Sequence, residues 1–300
     1  MGQKDERPKQ AQGSGETEEG AGGGPTETYW RRVLATRFVP LVDVEGYFKI
    51  LRERLKKAQR RVFIVGWDVD SRVELLRGDG RDDGWPQGLA AFLHELLERR
   101  PELHVHILTW DFAMIYALER EWFPLFRLSW KRHPRCHFQL DGQHPFGASQ
   151  HQKIVVIDDE VAFCGGVDLT KQRWDTRDHR PHDPRRTDPD GQRYAPFHDL
   201  QAMVEGPAAE ALGELARLRW ERATGQRVEG RGESASASAS VSPSPSPSES
   251  TLDEGEALPD DGTPVFEDVR VDIARTVPEF GGGWGGAGGK GKREMKGERK

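Results

Sequence analysis

The sequence has 300 residues, of which 35% are hydrophobic and 31% are charged, and its formal net charge at pH 7 is −6. This length predicts one large domain or two modest ones, and the large charged share indicates that part of the chain is not folded. The negative charge gives no basic field that would attract nucleic acid, so we expect no nucleic-acid partner. Two cysteines are too few for a disulfide framework, and no apolar run is long enough for a membrane span or a signal peptide. We therefore expect a cytoplasmic protein, soluble or peripherally attached to a membrane.

The first part of the sequence has too few apolar residues to form a core, and the next part alternates between strand-like and helix-like segments. Residues 1–28 contain almost no apolar side chains and are predicted to be disordered. Residues 29–228 alternate between apolar runs typical of strands and amphipathic segments typical of helices. The predicted helices are VEGYFKILRERLKKAQR, GLAAFLHELLERR and PAAEALGELARLRWERAT; the predicted strands are RVFIVGWDV, LHVHILTW, CHFQL, HQKIVVID, VAFCGG and HDLQAMVEG. The alternation predicts an α/β domain with a largely buried sheet.

The composition changes after this domain. Residues 229–262 are rich in Ser, Ala and Pro and are predicted to be a flexible linker. Residues 263–280 include VRVDIA, a strand-like stretch that reads as the beginning of a new unit. Residues 281–300 are rich in Gly and Lys and are predicted to be disordered, so nothing in them is expected to cover the apolar face of that stretch.

The segment HQKIVVIDDEVAFCGG carries the strongest chemical signal. Side chains two apart on a strand share a face, so His151 and Lys153 are expected to point the same way at the head of an apolar strand. An imidazole and an ammonium at this place are costly unless an anion neutralises them, and a phosphate group would do so. The imidazole can attack phosphorus or donate a proton, and the lysine can hold phosphoryl oxygens. The H-x-K spacing alone is also compatible with a chance pair at a strand edge.

The longer pattern H-x-K-x4-D-x6-G-G resembles the signature of the phospholipase D superfamily. It consists of His151, Lys153, Asp158, Gly165 and Gly166. Four further segments are similar to the phospholipid-cleaving branch of that superfamily: GWDVDSR, LTWD, GGVDL…RWD and PFHD, the last with Phe197 where Trp is usual. The resemblance covers residues 29–228 and the short stretch 264–278.

This resemblance implies a fold, a chemistry and a set of site residues. The implied fold is a half-domain of an α/β/α sandwich with a mostly buried mixed sheet. His151 would be the nucleophile that forms a phosphohistidine, Lys153 would bind the phosphate, and Asp158 would complete the motif in a structural or orienting role. Gly165 and Gly166 would allow a close backbone approach. No metal or other cofactor is implied. The residues expected to bind substrate or support the site are Asp168, Trp174, Asp175 and His198.

The chain departs from the family because it has no second motif. Of its ten histidines, only His151 is followed two residues later by a lysine. In the family, the histidine of the second motif protonates the leaving alcohol and then activates water or an acceptor alcohol. We interpret residues 263–280 as the stub of the missing second half and the chain as a truncated or frameshifted copy. Such a chain would be inactive, would pair with a second copy, or would pair with a separately encoded second half.

Three functional hypotheses follow from the resemblance. The first is a phospholipase D-type phosphodiesterase that acts on a glycerophospholipid at a membrane surface. The second is a phosphatidyltransferase of the cardiolipin synthase kind, with the same chemistry and a lipid alcohol as acceptor. The third is a non-catalytic remnant that binds a lipid or a protein partner.

Three other features each have two interpretations. The segment MIYALEREWFPLFRLSWKRHPR, with Trp122 and Trp130, is either an interfacial lipid-binding segment or a helix packed on the sheet, which we favour. The loop TRDHRPHDPRRTDPDGQRYAP is either a metal site or a polar loop near the site, and the second is favoured because the spacing matches no standard metal motif. Cys164 is expected to be a small buried hydrophobic residue rather than a reactive thiol.

Overall fold

The computed structural model describes residues 28–78, 82–111, 130, 132–145, 148–231 and 262–276. The strands in these ranges are β1 Arg31–Val42, β2 Arg61–Gly66, β3 His104–Trp110, β4 Cys136–Asp141, β5 Ile154–Ile157, β6 Val161–Gly165, β7 Leu200–Glu205 and β8 Phe266–Ile273. The helices are α1 Val44–Lys57, α2 Leu89–Arg99 and α3 Pro207–Thr224. None of these three helices has the length and apolar character needed to cross a bilayer.

All the described strands join one sheet, in the order β4-β3-β2-β5-β6-β7-β1-β8. Strands β2, β3 and β4 run parallel to one another, and every other neighbouring pair is antiparallel. The sheet is therefore mixed, as predicted.

Helices cover both faces of this sheet. Helices α1 and α2 pack with one face in an apolar cluster that includes Phe48, Leu51 and Leu93. Helix α3 packs on the other face, where Leu212 and Trp220 join a second cluster. Strand β5 lies between these layers and all four of its residues are buried, because both of its faces meet helices. The three layers form the predicted α/β/α sandwich.

Two strands differ from the sequence prediction. Strand β1 was not predicted, because RRVLATRFVPLV mixes arginines with apolar residues and contains Pro40. Proline is tolerated there because the pairing of β1 with β8 ends at Phe38, which leaves β7 as the only neighbour of Pro40. The strand-like stretch near the C-terminus is β8, and it joins this same sheet as an edge strand instead of starting a separate unit.

The aromatic and basic segment lies mostly outside the described residues. Trp122 is among those outside. Trp130 is fully buried in the first apolar cluster and stacks on Phe138 with 6.2 Å between the ring centroids. Trp130 therefore packs in the core, as the packing interpretation expects, and is not available to a lipid surface.

Several strands reach a common end of the sheet, which we call the upper end. It is formed by the last residues of β2, β3 and β6 and the first residues of β5 and β7, namely Gly66, Trp110, Gly165, Ile154 and Leu200. The opposite end of the same strands is called the lower end. Segments that follow or precede the strands at the upper end are distant in sequence and meet there.

Candidate active site

His151 and Lys153 lie at the upper end, immediately before β5. The structure starts β5 at Ile154, so the prediction that the strand begins at His151 is wrong by three residues. The side chain of His151 is exposed, whereas Lys153 is only 6% exposed. The Lys153 ammonium donates to the backbone carbonyl of His151 at 3.2 Å. A buried cation therefore lies directly beside an exposed imidazole.

Asp168 is the residue that neutralises this buried cation. Its Oδ2 lies 3.0 Å from Lys153 Nζ, and its Oδ1 accepts a hydrogen bond of 2.8 Å from the backbone N–H of Trp67. Asp168 is itself buried, so the ion pair is shielded from solvent on both sides. An ammonium has three N–H donors, and Asp168 and the carbonyl of His151 use two of them. Among the residues that the structure describes, nothing takes the third donor, which can bind an oxygen atom of a ligand.

The aromatic side chain of Trp67 forms a wall next to His151. The two rings meet edge to face with 6.4 Å between their centroids, and Trp67 stacks on Trp110 at 5.5 Å.

Beyond Trp110, Asp111 Oδ1 lies 2.8 Å from His144 Nε2. Partial burial lowers the pKa of His144, but the hydrogen bonds to Asp111 and to the Pro145 carbonyl, together with the charges of Asp111 and Asp141, leave the pKa above its ordinary value.

Asp158 is not brought to this site. It follows β5 at the lower end, so the four strand residues place its Cα about 16 Å from that of Lys153. Its carboxylate accepts hydrogen bonds from the backbone N–H groups of Gln59, Arg60 and Arg61, at 2.7 to 2.8 Å. Asp158 thus fixes the segment between α1 and β2 against the β5–β6 turn. In this structure it has the structural role and makes no contact with His151 or Lys153.

The glycine pair allows β7 to approach the site closely. A Cβ atom on Gly165 would lie 2.5 Å from the backbone carbonyl oxygen of Leu200, and one on Gly166 would meet the carboxylate of Asp199. The backbone of β7 leaves no room for a side chain at Gly165, whereas at Gly166 the side chain of Asp199 would have to move. The backbone N–H of Gly166 also donates to the Leu200 carbonyl at 3.0 Å, so the pair joins β6 to the segment that precedes β7.

Trp174 and Asp175 support this region from inside the protein. Trp174 is 1% exposed, and the guanidinium groups of Arg77 and Arg185 lie over its ring at 5.2 and 5.0 Å. Trp174 therefore has no surface left for a substrate.

Asp175 is fully buried and ties the polar loop together. It accepts hydrogen bonds from Arg186 at 2.8 Å, from His179 at 3.0 Å and from the backbone N–H of Phe197 at 2.9 Å. Burial alone would raise the pKa of Asp175, but the hydrogen bonds from His179 and Arg186 hold it below its ordinary value. The carboxylate is therefore a stable acceptor at neutral pH.

His198 lies just before β7 and makes a contact that the sequence pattern did not indicate. Its Nδ1 is 2.6 Å from Asp43 Oδ1, and Asp43 also lies 3.3 Å from His179 Nε2. Asp43 immediately precedes α1, so nothing in the local sequence connects it to the loop. The other acidic residues of the loop have cationic or amide partners instead: Asp183 with Arg185, Asp188 with Gln172, and Asp190 with Arg72 and Lys171.

Comparisons with known proteins identify relatives of this chain. No family model matches it. Phospholipase D B of Dictyostelium discoideum is 24% identical over 217 residues, which cover 61% of this chain and 17% of the relative. Phospholipase D gamma 3 of Arabidopsis thaliana is 28% identical over 225 residues, which cover 60% of this chain and 25% of the relative. The chain thus spans a quarter or less of these curated relatives.

Solved structures are similar only loosely. A phospholipase D family member, Nuc of Salmonella typhimurium, superposes with a TM-score of 0.37 and 13% sequence identity. The superposition covers 62% of this chain and 95% of the other.

Proposed function

From the membership of this chain in the phospholipase D superfamily, we propose that it carries the nucleophilic half of a phosphodiesterase site that acts on glycerophospholipids. The observation that carries the proposal is the buried Lys153–Asp168 ion pair beside the exposed imidazole of His151. The remaining N–H donor of Lys153 can bind a non-bridging phosphate oxygen. His151 can then reach the phosphorus from the solvent side.

The proposed reaction has two steps at phosphorus. In the first, an imidazole nitrogen of His151 attacks phosphorus, the bond to the leaving alcohol breaks, and that alcohol oxygen takes a proton from a general acid. In the second, water gives up a proton to a general base and attacks the phosphohistidine, the N–P bond breaks, and phosphatidate and the free His151 imidazole are released. With a lipid alcohol in place of water, the same second step gives a phosphatidyltransferase. Lys153 stabilises the charge on the phosphoryl oxygens in both steps.

In the family, the histidine of the second motif is the general acid, and this sequence has no such motif. No second histidine and lysine pair with this spacing exists in the sequence. General acid catalysis contributes about 10²- to 10⁴-fold to such a reaction. We therefore propose that the residues of this sequence perform the first chemical step and that full turnover needs a second histidine and lysine pair, which a second copy of this sequence or another polypeptide segment would supply.

A choice of leaving group tests this directly. The chain alone, without a partner, is incubated with phosphatidyl-p-nitrophenol, a phosphodiester whose leaving group needs no proton, and with phosphatidylcholine vesicles. We expect a burst of p-nitrophenolate close to one equivalent per chain, with choline release slower by about 10²-fold or more. His151→Ala abolishes the burst, whereas His182→Ala, a change at an exposed histidine of the polar loop, leaves it unchanged.

The outcomes separate the hypotheses. A burst followed by transfer to added phosphatidylglycerol identifies the transferase, and a burst followed by phosphatidate release identifies the hydrolase. Vesicle binding without any burst supports the non-catalytic remnant and contradicts the proposal. Preferential cleavage of a DNA substrate would contradict the assignment to glycerophospholipids.

A further inference from the structure

Three side chains from distant parts of the sequence converge at the upper end of the sheet. Asp43 precedes α1, His179 lies in the polar loop and His198 precedes β7. Each offers one ligand atom, and these three atoms lie within 4.8 Å of one another. We propose that Asp43, His179 and His198 form a binding site for a divalent first-row transition-metal ion with the chemistry of Zn²⁺.

The hydrogen bond between His179 and Asp175 fixes the direction of a lone pair. Asp175 is fully buried, and its carboxylate accepts from His179 Nδ1 at 3.0 Å, so the ring hydrogen of a neutral His179 is on Nδ1. The lone pair on Nε2 then faces Asp43 Oδ2 at 3.3 Å. Two facing acceptors need either a second proton on the imidazole or a metal cation between them. A buried carboxylate that holds the far nitrogen of a histidine is the arrangement that supports metal-binding imidazoles in proteins.

The orientation of Asp43 gives an independent argument. Asp43 stands at the N-cap position of α1, where an aspartate normally accepts from the first N–H groups of the helix. Here its side chain makes no capping hydrogen bond. Its carboxylate, only 3% exposed, is directed to the imidazoles of His198 and His179 instead, at 2.6 and 3.3 Å. The carboxylate of Asp43 therefore lies between two imidazoles and does not cap the helix.

The donor set and the spacing fit zinc better than magnesium or calcium. Two imidazole nitrogens and one carboxylate oxygen are typical ligands of zinc, while magnesium and calcium prefer oxygen ligands. Around a tetrahedral zinc ion with bonds of about 2.0 Å, neighbouring ligand atoms are about 3.3 Å apart. The distances of 2.6 and 3.3 Å join His198 and His179 to different oxygen atoms of Asp43, and the three ligand atoms lie within 4.8 Å of one another, so these side chains would close around an ion by a rearrangement. The side chain of His198 is 71% exposed, so a water molecule can complete the coordination.

The consequence of such a site is mechanical. An ion there would join the start of α1, the polar loop and the segment that precedes β7. Asp199, next to His198, is the residue whose carboxylate lies against Gly166. The ion would therefore hold in place the residues beside the glycine pair.

The test is metal binding by untagged protein that has been stripped with a chelator. Titration calorimetry with Zn²⁺ should give one ion per chain, and Co²⁺ should give the visible absorption of a tetrahedral site. His198→Ala, a change at an exposed side chain, and Asp43→Asn should each weaken zinc binding by at least about tenfold. His182→Ala and His137→Ala should bind as the unchanged chain does; His137 is included because it contacts His104 at 3.2 Å and forms another imidazole pair.

Two results would overturn the site. The first is an absence of zinc binding by protein whose circular dichroism shows an intact fold, because the cluster would then be held by a proton on His179. The second is zinc binding that survives His198→Ala but is lost in His137→Ala. Equal affinity for Ca²⁺ would refute the assignment to a transition metal. These readouts do not involve catalysis, so they are independent of the proposed phosphodiesterase activity.

Discussion

The two ends of strand β5 make different use of one sequence motif. At the upper end, Lys153 is buried against Asp168 and leaves His151 exposed to a ligand. At the lower end, the carboxylate of Asp158 accepts hydrogen bonds from three backbone N–H groups. The difference shows that a contiguous signature can join a chemical site and a structural anchor, because a strand of four residues separates them by about 16 Å. Variants at the upper end should therefore lower activity, whereas variants at the lower end should lower stability and leave activity unchanged.

The largest combined effect is expected at the upper end, for Lys153→Met. The rate of the p-nitrophenolate burst should fall by about 10²- to 10³-fold, because methionine cannot bind the phosphate oxygen that Lys153 is proposed to bind. The free energy of unfolding should also fall by about 3–5 kcal/mol, since Asp168 is left charged, buried and without its cation. Denaturant unfolding and burst kinetics measure the two effects separately.

A double variant sharpens this prediction. Lys153→Met combined with Asp168→Asn removes both charges, so it should recover a large part of the lost stability. The burst should not recover with it. If the double variant regains both stability and activity, Lys153 is a structural residue and has no role in binding phosphate.

A smaller effect of the opposite kind is expected at the lower end, for Asp158→Asn. Asparagine tolerates the positive φ of 54° at this position but offers one acceptor oxygen in place of a charged pair. We expect a loss of about 1–2 kcal/mol in the free energy of unfolding, because hydrogen bonds to the charged group are weakened. The burst per folded chain should stay within about twofold of the original. A loss of activity with unchanged stability would mean that Asp158 takes part in the reaction and is not only a structural residue.

The sequence predicted the lower end better than the upper end. The alternation of patterns identified β2 to β7 and the three helices, and Asp158 and Asp159 form the turn between β5 and β6 with positive φ angles of 54° and 60°. Local pattern is sufficient there because a hairpin turn is determined by adjacent residues. Strand β1 was missed because its pattern is set by two neighbours, β7 and β8, that come from the far end of the chain.

The contacts of the candidate site depend on register and loops, which a single sequence does not specify. Lys153 and Asp168 were both named as site residues, but their ion pair exists only because β5 and β6 pair as a hairpin and the chain then turns back over the upper end. Asp43 and His198 are 155 positions apart. Their contact follows from the pairing of Val42 with Leu200 between β1 and β7, and β1 was the strand that the pattern did not reveal.

The smallest effect concerns the pH dependence of the upper end, where Asp111 and His144 form an ion pair. The pKa of His144 is raised above its ordinary value of 6.5, so the stabilising contribution is fully present below that pH and is lost as the pH rises through the raised pKa. Asp111→Asn should therefore reduce the free energy of unfolding at pH 6 by no more than about 1 kcal/mol, because Asp111 is 38% exposed and solvent screens the pair. At pH 9 the variant and the original should be equally stable.

Asp158→Asn serves as the matched control, because the backbone N–H partners of Asp158 do not titrate and its effect should be the same at both pH values. An Asp111→Asn effect that persists at pH 9 would mean that His144 is held by its neutral hydrogen bonds and that the upper end has no pH-dependent pair.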